Sequence, residues 1–290
     1  MIFEKLVKNA KSSKSTVAIG LGVEDKNPQR IIQAAETVNQ RELAKTVIVG
    51  NFEQAQKDYF KKQKVQIQSS KNPEETLLKM ITSNEVDSVV RGSLPANDFL
   101  KQAKTQFKVE NFRRIALLES ANGNQFFFAP VGIDEGKTVQ EKINFVSEGV
   151  NLLQKLGITS NVAILSGGRA GDLGRDPIVD QTIKDAEEAV RTIREKNITQ
   201  SIQNYQILIE DAERNKANLI LAPDGISGNL IYRTLVHLGK GASYGALYTN
   251  LPKTIIDTSR VAPIKEYVGA IIFASALKEA AQKETQKKQQ

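Results

Sequence analysis

Residues 217–235, ANLILAPDGISGNLIYRTL, contain the unit from which the rest of the chain is built. The apolar run ANLILA predicts a short buried strand, and NLIYRTL carries apolar residues at helical spacing. The turn between them holds Asp224, two glycines and Asn229, with no basic residue. Ser227 can supply a helix-capping oxygen, so the turn predicts either a helix cap or a ligand loop, and both remain open from these residues.

The same alternation of strand and helix recurs along the chain. It predicts a mostly parallel sheet with helices on both faces, an α/β fold. Strands are predicted at 15–22, 45–50, 64–70, 86–93, 113–120, 124–132, 161–168, 217–222, 243–248 and 253–259. Helices are predicted at 28–44, 51–63, 72–84, 138–158, 177–197, 201–217 and from Pro263 onward, although YQILIE at 205–210 is also compatible with a strand.

Composition removes several classes of function. The chain of 290 residues has no cysteine and one histidine, His237, so it predicts no disulfide, no thiolate nucleophile and no metal site. It has no apolar run long enough to span a bilayer, and its first residues lack the apolar core of a signal peptide. The net charge of +7 comes with scattered lysines and a basic tail at 278–290, without a nucleic-acid motif. We therefore expect neither nucleic acid nor a membrane as a partner.

Four turns follow predicted strands, at 89–98, 165–177, 222–229 and 257–260. The carboxyl ends of strands are where such folds bind ligands, and these turns offer backbone amides, hydroxyls and arginines suited to an anion. Each turn also has a plainer explanation as a loop, a helix cap or a polar helix entry. The predicted anion-binding residues are Arg91, Gly92, Ser93, Ser166, Gly167, Gly168, Arg169, Arg175, Asp224, Gly228 and Asn229.

In this order, the turns resemble those of the phosphate acetyl/butyryltransferase family. The segments that carry the resemblance are NLILAPDGISGNLIYRTL and the later DTSR, with VDSVVRGS in the first half. The sequence LSGGRAGDLGRDPIVDQTI more closely resembles a divergent branch of that family, methanogenesis marker protein 4, which is described as a methyltransferase subunit. The resemblance covers nearly the whole chain and is strongest from about 160 to 260. It implies a cytoplasmic protein of a methanogenic archaeon.

The resemblance also implies an architecture. The fold would be like that of isocitrate and isopropylmalate dehydrogenases, with two three-layer α/β domains and the ligand in a cleft between them. Domain I would comprise residues 1–137 and 252–290, and domain II residues 138–251. By the same analogy the protein would be a homodimer.

For the chemistry, the resemblance implies that coenzyme A attacks an acyl phosphate. Matched residue by residue, Ser259 would stabilise the oxyanion, Arg260 would hold the phosphoryl group, and Glu266 would accept the thiol proton where the family has Asp. The glycine-rich loop departs from the family's hydroxyl-rich loop, and Lys101 replaces an expected arginine. The ligand could therefore be coenzyme A or another phosphorylated compound.

Three functions remain open at this point. The first is acyl or related group transfer on a small anionic substrate. The second is a subunit of a methyltransferase complex in one-carbon metabolism, although the sequence contains no recognisable methyl-donor site. The third is a non-catalytic ligand sensor or assembly factor that has kept the binding residues.

Overall fold

The computed structural model describes the backbone of residues 1–53 and 65–288, and the side chains of that part up to residue 278. Two compact units emerge from the packing. The first unit comprises residues 3–112 and 243–290, and the second comprises residues 1–2 and 113–242. The division at 137/138 and 251/252 implied by the resemblance stays a prediction. The helix predicted at 51–63 lies almost wholly outside the described residues.

The first unit is built on a mostly parallel half-sheet in the order β3-β2-β1-β4-β11-β10. β10 and β11 pair antiparallel, whereas the other neighbours are parallel. Its strands are β1 (Thr16–Leu21), β2 (Lys45–Gly50), β3 (Gln66–Ser69), β4 (Ser88–Val90), β10 (Ala242–Tyr248) and β11 (Thr254–Asp257). Its helices are α1 (Ile2–Ser13), α2 (Gln29–Gln40), α3 (Pro73–Thr82), α4 (Ala96–Phe107) and α9 (Ile264–Lys288).

The second unit has the strand order β5-β6-β9-β7-β8. β5 and β6 form an antiparallel hairpin, and the other pairs are parallel. Its strands are β5 (Arg114–Glu119), β6 (Gln125–Ala129), β7 (Val162–Leu165), β8 (Ile202–Gln206) and β9 (Leu219–Leu221). Its helices are α5 (Val139–Lys155), α6 (Pro177–Glu195), α7 (Ile209–Arg214) and α8 (Gly225–Arg233), with a 3₁₀ turn at Ala170–Asp172 and a π-helical turn at Thr234–Leu238.

Apolar strands fill both cores. Val89 and Ile255 are fully buried in the first unit, as are Phe128 and Ile220 in the second. Every residue of β7 and β9 is buried, which explains their unbroken apolar runs. The predicted α/β fold with a mostly parallel sheet is confirmed. Among the described residues, no helix is both long and apolar enough to cross a membrane.

The structure corrects the prediction for residues 201–217. We expected helix, with 205–210 as a possible strand; in the structure Ile202–Gln206 is a strand and only Ile209–Arg214 is helical. β8 is the edge strand of its half-sheet, and Ile202 is its one buried residue. An edge strand that buries one side chain does not give the apolar pattern of a core strand.

Candidate functional site

The loop between β11 and α9 carries Ser259 and Arg260. The amide of Ser259 donates a hydrogen bond to Glu266 Oε1 at 2.9 Å. The Tyr267 hydroxyl donates to the carbonyls of Ser259 and Arg260, each at 3.2 Å. Two side chains from the first turn of α9 therefore hold the backbone of the loop, and the structure brings Ser259, Arg260 and Glu266 together.

Glu266 is buried, and only 1% of it is exposed. Its Oε2 atom accepts no hydrogen bond from the part of the chain that the structure describes. The pKa of Glu266 is raised to about 7, mainly by burial; the hydrogen bond from the Ser259 amide lowers the pKa, the charge of Asp257 raises it, and the charge of Arg91 lowers it. A carboxyl group with a pKa near neutrality is suited to accept and return a proton.

Arg260 lies on the surface, with 46% of its side chain exposed. Its Nη2 atom is 2.9 Å from Oε2 of Glu24, whose side chain is 71% exposed. Exposed ion pairs contribute little net free energy. The Arg260 guanidinium can therefore exchange Glu24 for another anion at small cost.

Arg91, in contrast, is engaged with the protein. Its Nε donates to Asp257 Oδ1 at 2.5 Å, and its two terminal nitrogens donate to the carbonyls of Leu94 and Thr258. Only 5% of the side chain is exposed. Binding of an anion by Arg91 stays a prediction, and the observed contacts give the guanidinium a different role.

Gly92 and Ser93 pack against the loop that follows β1. A Cβ atom on Gly92, whose φ is +66°, would lie 1.9 Å from the carbonyl oxygen of Gly20. The Ser93 hydroxyl accepts a hydrogen bond from the Gly22 amide at 3.0 Å. Gly92 is thus required by a close approach of two backbones. The anion-binding role of Gly92 and Ser93 stays a prediction.

Asp25 and Arg30, which were not predicted from the sequence, lie beside the loop that carries Ser259. Asp25 Oδ1 accepts from Arg30 Nη2 and from the Asn27 amide, each at 2.9 Å. Asp25 Oδ2 is buried and accepts nothing from the described residues. Arg30 Nη1 donates to the Ala262 carbonyl at 2.9 Å and so ties α2 to the Ser259 loop. The available signal was a carboxylate in the turn three residues after the predicted strand at 15–22.

The glycine-rich loop belongs to the second unit and satisfies many of its own polar groups. The Ser166 hydroxyl donates to the Gly168 carbonyl at 2.8 Å. The Gly167 amide donates to Thr182 Oγ1, also at 2.8 Å. Ser166 is buried, so its hydroxyl stabilises the loop in this conformation.

The two arginines of that loop are exposed. Arg175 Nη1 is 2.6 Å from Asp172 Oδ1, and 76% of the Arg175 side chain is exposed. The Arg169 amide donates to Asp172 Oδ2 at 2.8 Å. Hydrogen bonds from the Arg169 backbone and the Arg175 side chain lower the pKa of Asp172. Asp172 thus occupies donors that a ligand would use, and the predicted anion binding by this loop is not tested by these contacts.

The turn at 222–229 forms a helix cap. Asp224 is the N-cap of α8: its carboxylate accepts from the Ser227 amide at 2.8 Å, and the Asp224 amide donates to Ser227 Oγ at 3.3 Å. The Asn229 side chain donates to the Val131 carbonyl at 2.9 Å. A Cβ atom on Gly228 would lie 2.0 Å from the Pro130 carbonyl oxygen. These contacts support the helix-cap alternative for this turn, with Asp224 rather than Ser227 as the N-cap residue.

Buried charges near this turn were also missed. Glu135 Oε1 is 2.6 Å from Arg114 Nε, and burial raises the pKa of Glu135 despite this partner. Lys142 donates to the Gly136 carbonyl at 3.0 Å and lies 3.8 Å from Asp185; burial lowers its pKa. No sequence pattern distinguished these residues from surface charges.

The predicted residues therefore fall into two sets. Those of the first unit are Ser259, Arg260, Glu266 and 91–93, and those of the second unit are 166–169, Arg175, Asp224, Gly228 and Asn229. Across the described residues, no group of three acidic or histidine side chains is placed to hold a metal ion.

Comparison with known proteins gives the family. A protein of Methanosarcina mazei named "Putative methyltransferase mtx subunit X" is 37% identical over 276 residues, covering 95% of each chain. The chain belongs to the mtx subunit X family. The predicted resemblance to a divergent, methanogen branch is confirmed by this relative. No family model matches the chain.

More distant relatives give the fold. A phosphate acetyltransferase of Acetivibrio thermocellus is 21% identical over 319 positions, covering 92% of this chain and 95% of the relative. The crystal structure of a phosphotransacetylase from Streptococcus pyogenes matches with a TM-score of 0.70 at 17% identity, covering 96% of this chain and 98% of that one. The chain thus shares the phosphotransacetylase fold.

Proposed function

We propose that this protein is a phosphotransacylase-like transferase of methanogens that binds a small phosphorylated or coenzyme A-like anion at the Ser259–Arg260 loop. One observation carries the proposal. A buried carboxyl group, Glu266, has a pKa near 7 and is hydrogen-bonded to the backbone of a loop that also presents an exposed arginine. A proton acceptor beside an anion-binding cation is the arrangement that acyl transfer from an acyl phosphate to a thiol requires.

The reaction proceeds by attack of the thiol sulfur on the acyl carbon. The C–S bond forms, the C–O bond to the phosphoryl group breaks, and inorganic phosphate leaves. Glu266 takes the thiol proton, Arg260 holds the phosphoryl oxygens, and Ser259 donates a hydrogen bond to the developing oxyanion. Glu266 Oε2 is enclosed in this conformation, so proton transfer from the thiol requires a movement that exposes the Glu266 carboxyl group.

The test is turnover of acyl phosphates of increasing acyl length with coenzyme A, followed by thioester absorbance. We expect Arg260→Ala to lower kcat/KM by about 100-fold, since it removes an electrostatic contact to the reacting group. Arg214→Ala is the matched control, because Arg214 is also exposed and pairs with a carboxylate three residues away, Asp211. Absence of turnover at every acyl length, or equal rates in the two variants, would refute the proposed acyltransferase activity. Ligand binding without turnover would select the sensor or assembly factor.

A second candidate is a subunit of a methyltransferase complex, and it rests on the name of the 37% identical relative. Its partners would be other methyltransferase subunits. The test is purification of the tagged protein from a methanogen, with methyl transfer measured in the reconstituted complex. Failure to recover a methyltransferase, together with no effect of the protein on methyl transfer, would exclude it.

The remaining assignments belong to the same proposal. We place the protein in the cytoplasm of a methanogen as a homodimer, with its ligand in the interdomain cleft that the family resemblance implies. Sedimentation equilibrium tests the dimer: a monomer mass at all concentrations would remove it.

A further inference from the structure

Arg91 is a buried arginine beside the Ser259 loop, with 5% of its side chain exposed. One guanidinium donates to three acceptors: the Asp257 carboxylate at the end of β11, the Thr258 carbonyl and the Leu94 carbonyl. Thr258 immediately precedes Ser259, and its hydroxyl donates to the Gly92 carbonyl at 2.9 Å. The fork of an arginine suits this task, because its donors are fixed in one plane.

The loop is thereby held from both sides. Arg91 fixes the residues before Ser259, whereas Glu266 and Tyr267 fix Ser259 and Arg260 themselves. Arg91 is 5% exposed and Asp257 13% exposed. Breaking such a buried pair leaves an uncompensated charge and is strongly destabilising, so the backbone of the loop is fixed before any ligand arrives.

The pair also controls the electrostatics of Glu266. The charged groups that act on Glu266 are Asp257, which raises its pKa, and Arg91, which lowers it. Tyr267, on the same helix, stays neutral, since burial raises its pKa well above its usual value. Asp25 and Arg30, on the side of the β1–α2 loop, act with opposite signs on Tyr267. Arg91 therefore limits the repulsion between two neighbouring carboxylates.

We propose that Arg91 is a positioning residue whose guanidinium fixes the backbone that carries Ser259 and compensates the charge of Asp257 beside Glu266. The inference rests on the proposed function for its consequence in catalysis. In this proposal Arg91 binds protein acceptors and not the ligand. Arg260 is then the anion-binding cation of this loop. If the Arg91–Asp257 pair were merely structural, it would hold the loop without changing the pKa of Glu266.

The test is a carbon-13 NMR titration of protein labelled at its glutamate carboxyl groups, in which the Glu266 signal is the one lost in Glu266→Gln. Asp257→Asn removes the repelling charge, so the Glu266 midpoint falls by about 1 unit from its value near 7. Arg91→Met removes the compensating charge, so the midpoint rises by about 1 unit. Opposite shifts support the proposal, because a purely structural pair would give both variants the same effect.

Shifts in the same direction, or none in folded variants, overturn the proposal. Should Arg91→Met fail to fold, Asp257→Asn decides alone: a midpoint that does not fall refutes it. Calorimetric titration with inorganic phosphate tests the anion-binding alternative. Arg260→Ala, which removes the exposed guanidinium of the loop, should weaken phosphate binding by about tenfold; an unchanged affinity in that variant would leave Arg91 as the anion-binding residue and overturn the proposal. These measurements need no turnover, so failure of the transferase proposal would be seen separately.

Discussion

Replacing Gly228 by alanine tests the packing of the segment that defines the fold. Gly228 lies in α8, where a Cβ atom would meet the Pro130 carbonyl oxygen at 2.0 Å. Ordinary contacts at Cβ begin near 3.4 Å, so α8 must move away from β6 by about 1.4 Å. That movement also stretches the 2.9 Å hydrogen bond from Asn229 to the Val131 carbonyl.

The expected magnitude follows from three contributions. Overpacking costs about 1–3 kcal/mol, and a lost hydrogen bond to a buried carbonyl costs about 1 kcal/mol. Alanine favours a helix interior over glycine by about 1 kcal/mol, which offsets part of this. We therefore expect Gly228→Ala to lower the free energy of unfolding by about 2 kcal/mol.

The assay is equilibrium unfolding in urea followed by circular dichroism. Gly171→Ala is the matched control, because no atom lies within 4 Å of the Cβ that it would add. That substitution should change stability by less than about 0.5 kcal/mol. Equal stabilities of the two variants would show that close packing does not require a glycine at 228. A role of this glycine in ligand binding would then be the remaining explanation.

Three further predictions concern charge and capping. Glu24→Gln removes the carboxylate from Arg260 and should raise the affinity for inorganic phosphate up to about fivefold; weaker binding by calorimetry would contradict it. Asp176→Ala deletes the acceptor of the Ile178 and Val179 amides at the start of α6 and should cost about 1 kcal/mol of unfolding free energy in urea. The folded pKa of Glu266, about 7, lies above its usual 4.5, so the protonated form stabilises the fold at low pH. This contribution is lost as the pH rises through 7, and wild type should lose up to about 3 kcal/mol relative to Glu266→Gln between pH 5 and 8; parallel pH profiles would refute it.

The sequence predicted the fold where strands are buried. β7, β9 and most of β1 are continuous apolar runs between polar turns, and such runs are recognisable without a structure. β8 was missed because an edge strand buries little. α1 was not predicted either, since its buried residues Leu6 and Ala10 are set among charged ones.

The candidate site was predicted less completely. Ser259, Arg260 and Glu266 were predicted as site residues through a family resemblance. In the structure a hydrogen bond links Ser259 to Glu266, and the Tyr267 hydroxyl donates to the Arg260 carbonyl. Arg91 was expected to bind an anion, yet its donors point to protein acceptors that lie over 160 positions away in the chain or within the next turn. Such long-range pairing leaves no mark in the local sequence, so the difference between a ligand-binding and a positioning arginine required the fold.

The most direct test of the account is phosphorus-31 NMR of acetyl phosphate and butyryl phosphate incubated with the purified protein, with and without coenzyme A, from pH 5 to pH 9. We predict phosphate release that depends on coenzyme A, rises through an apparent pKa near 7 and is lost in Glu266→Gln. Release that is independent of coenzyme A, or undiminished in Glu266→Gln, would contradict the assignment of Glu266 as the proton acceptor of a transferase.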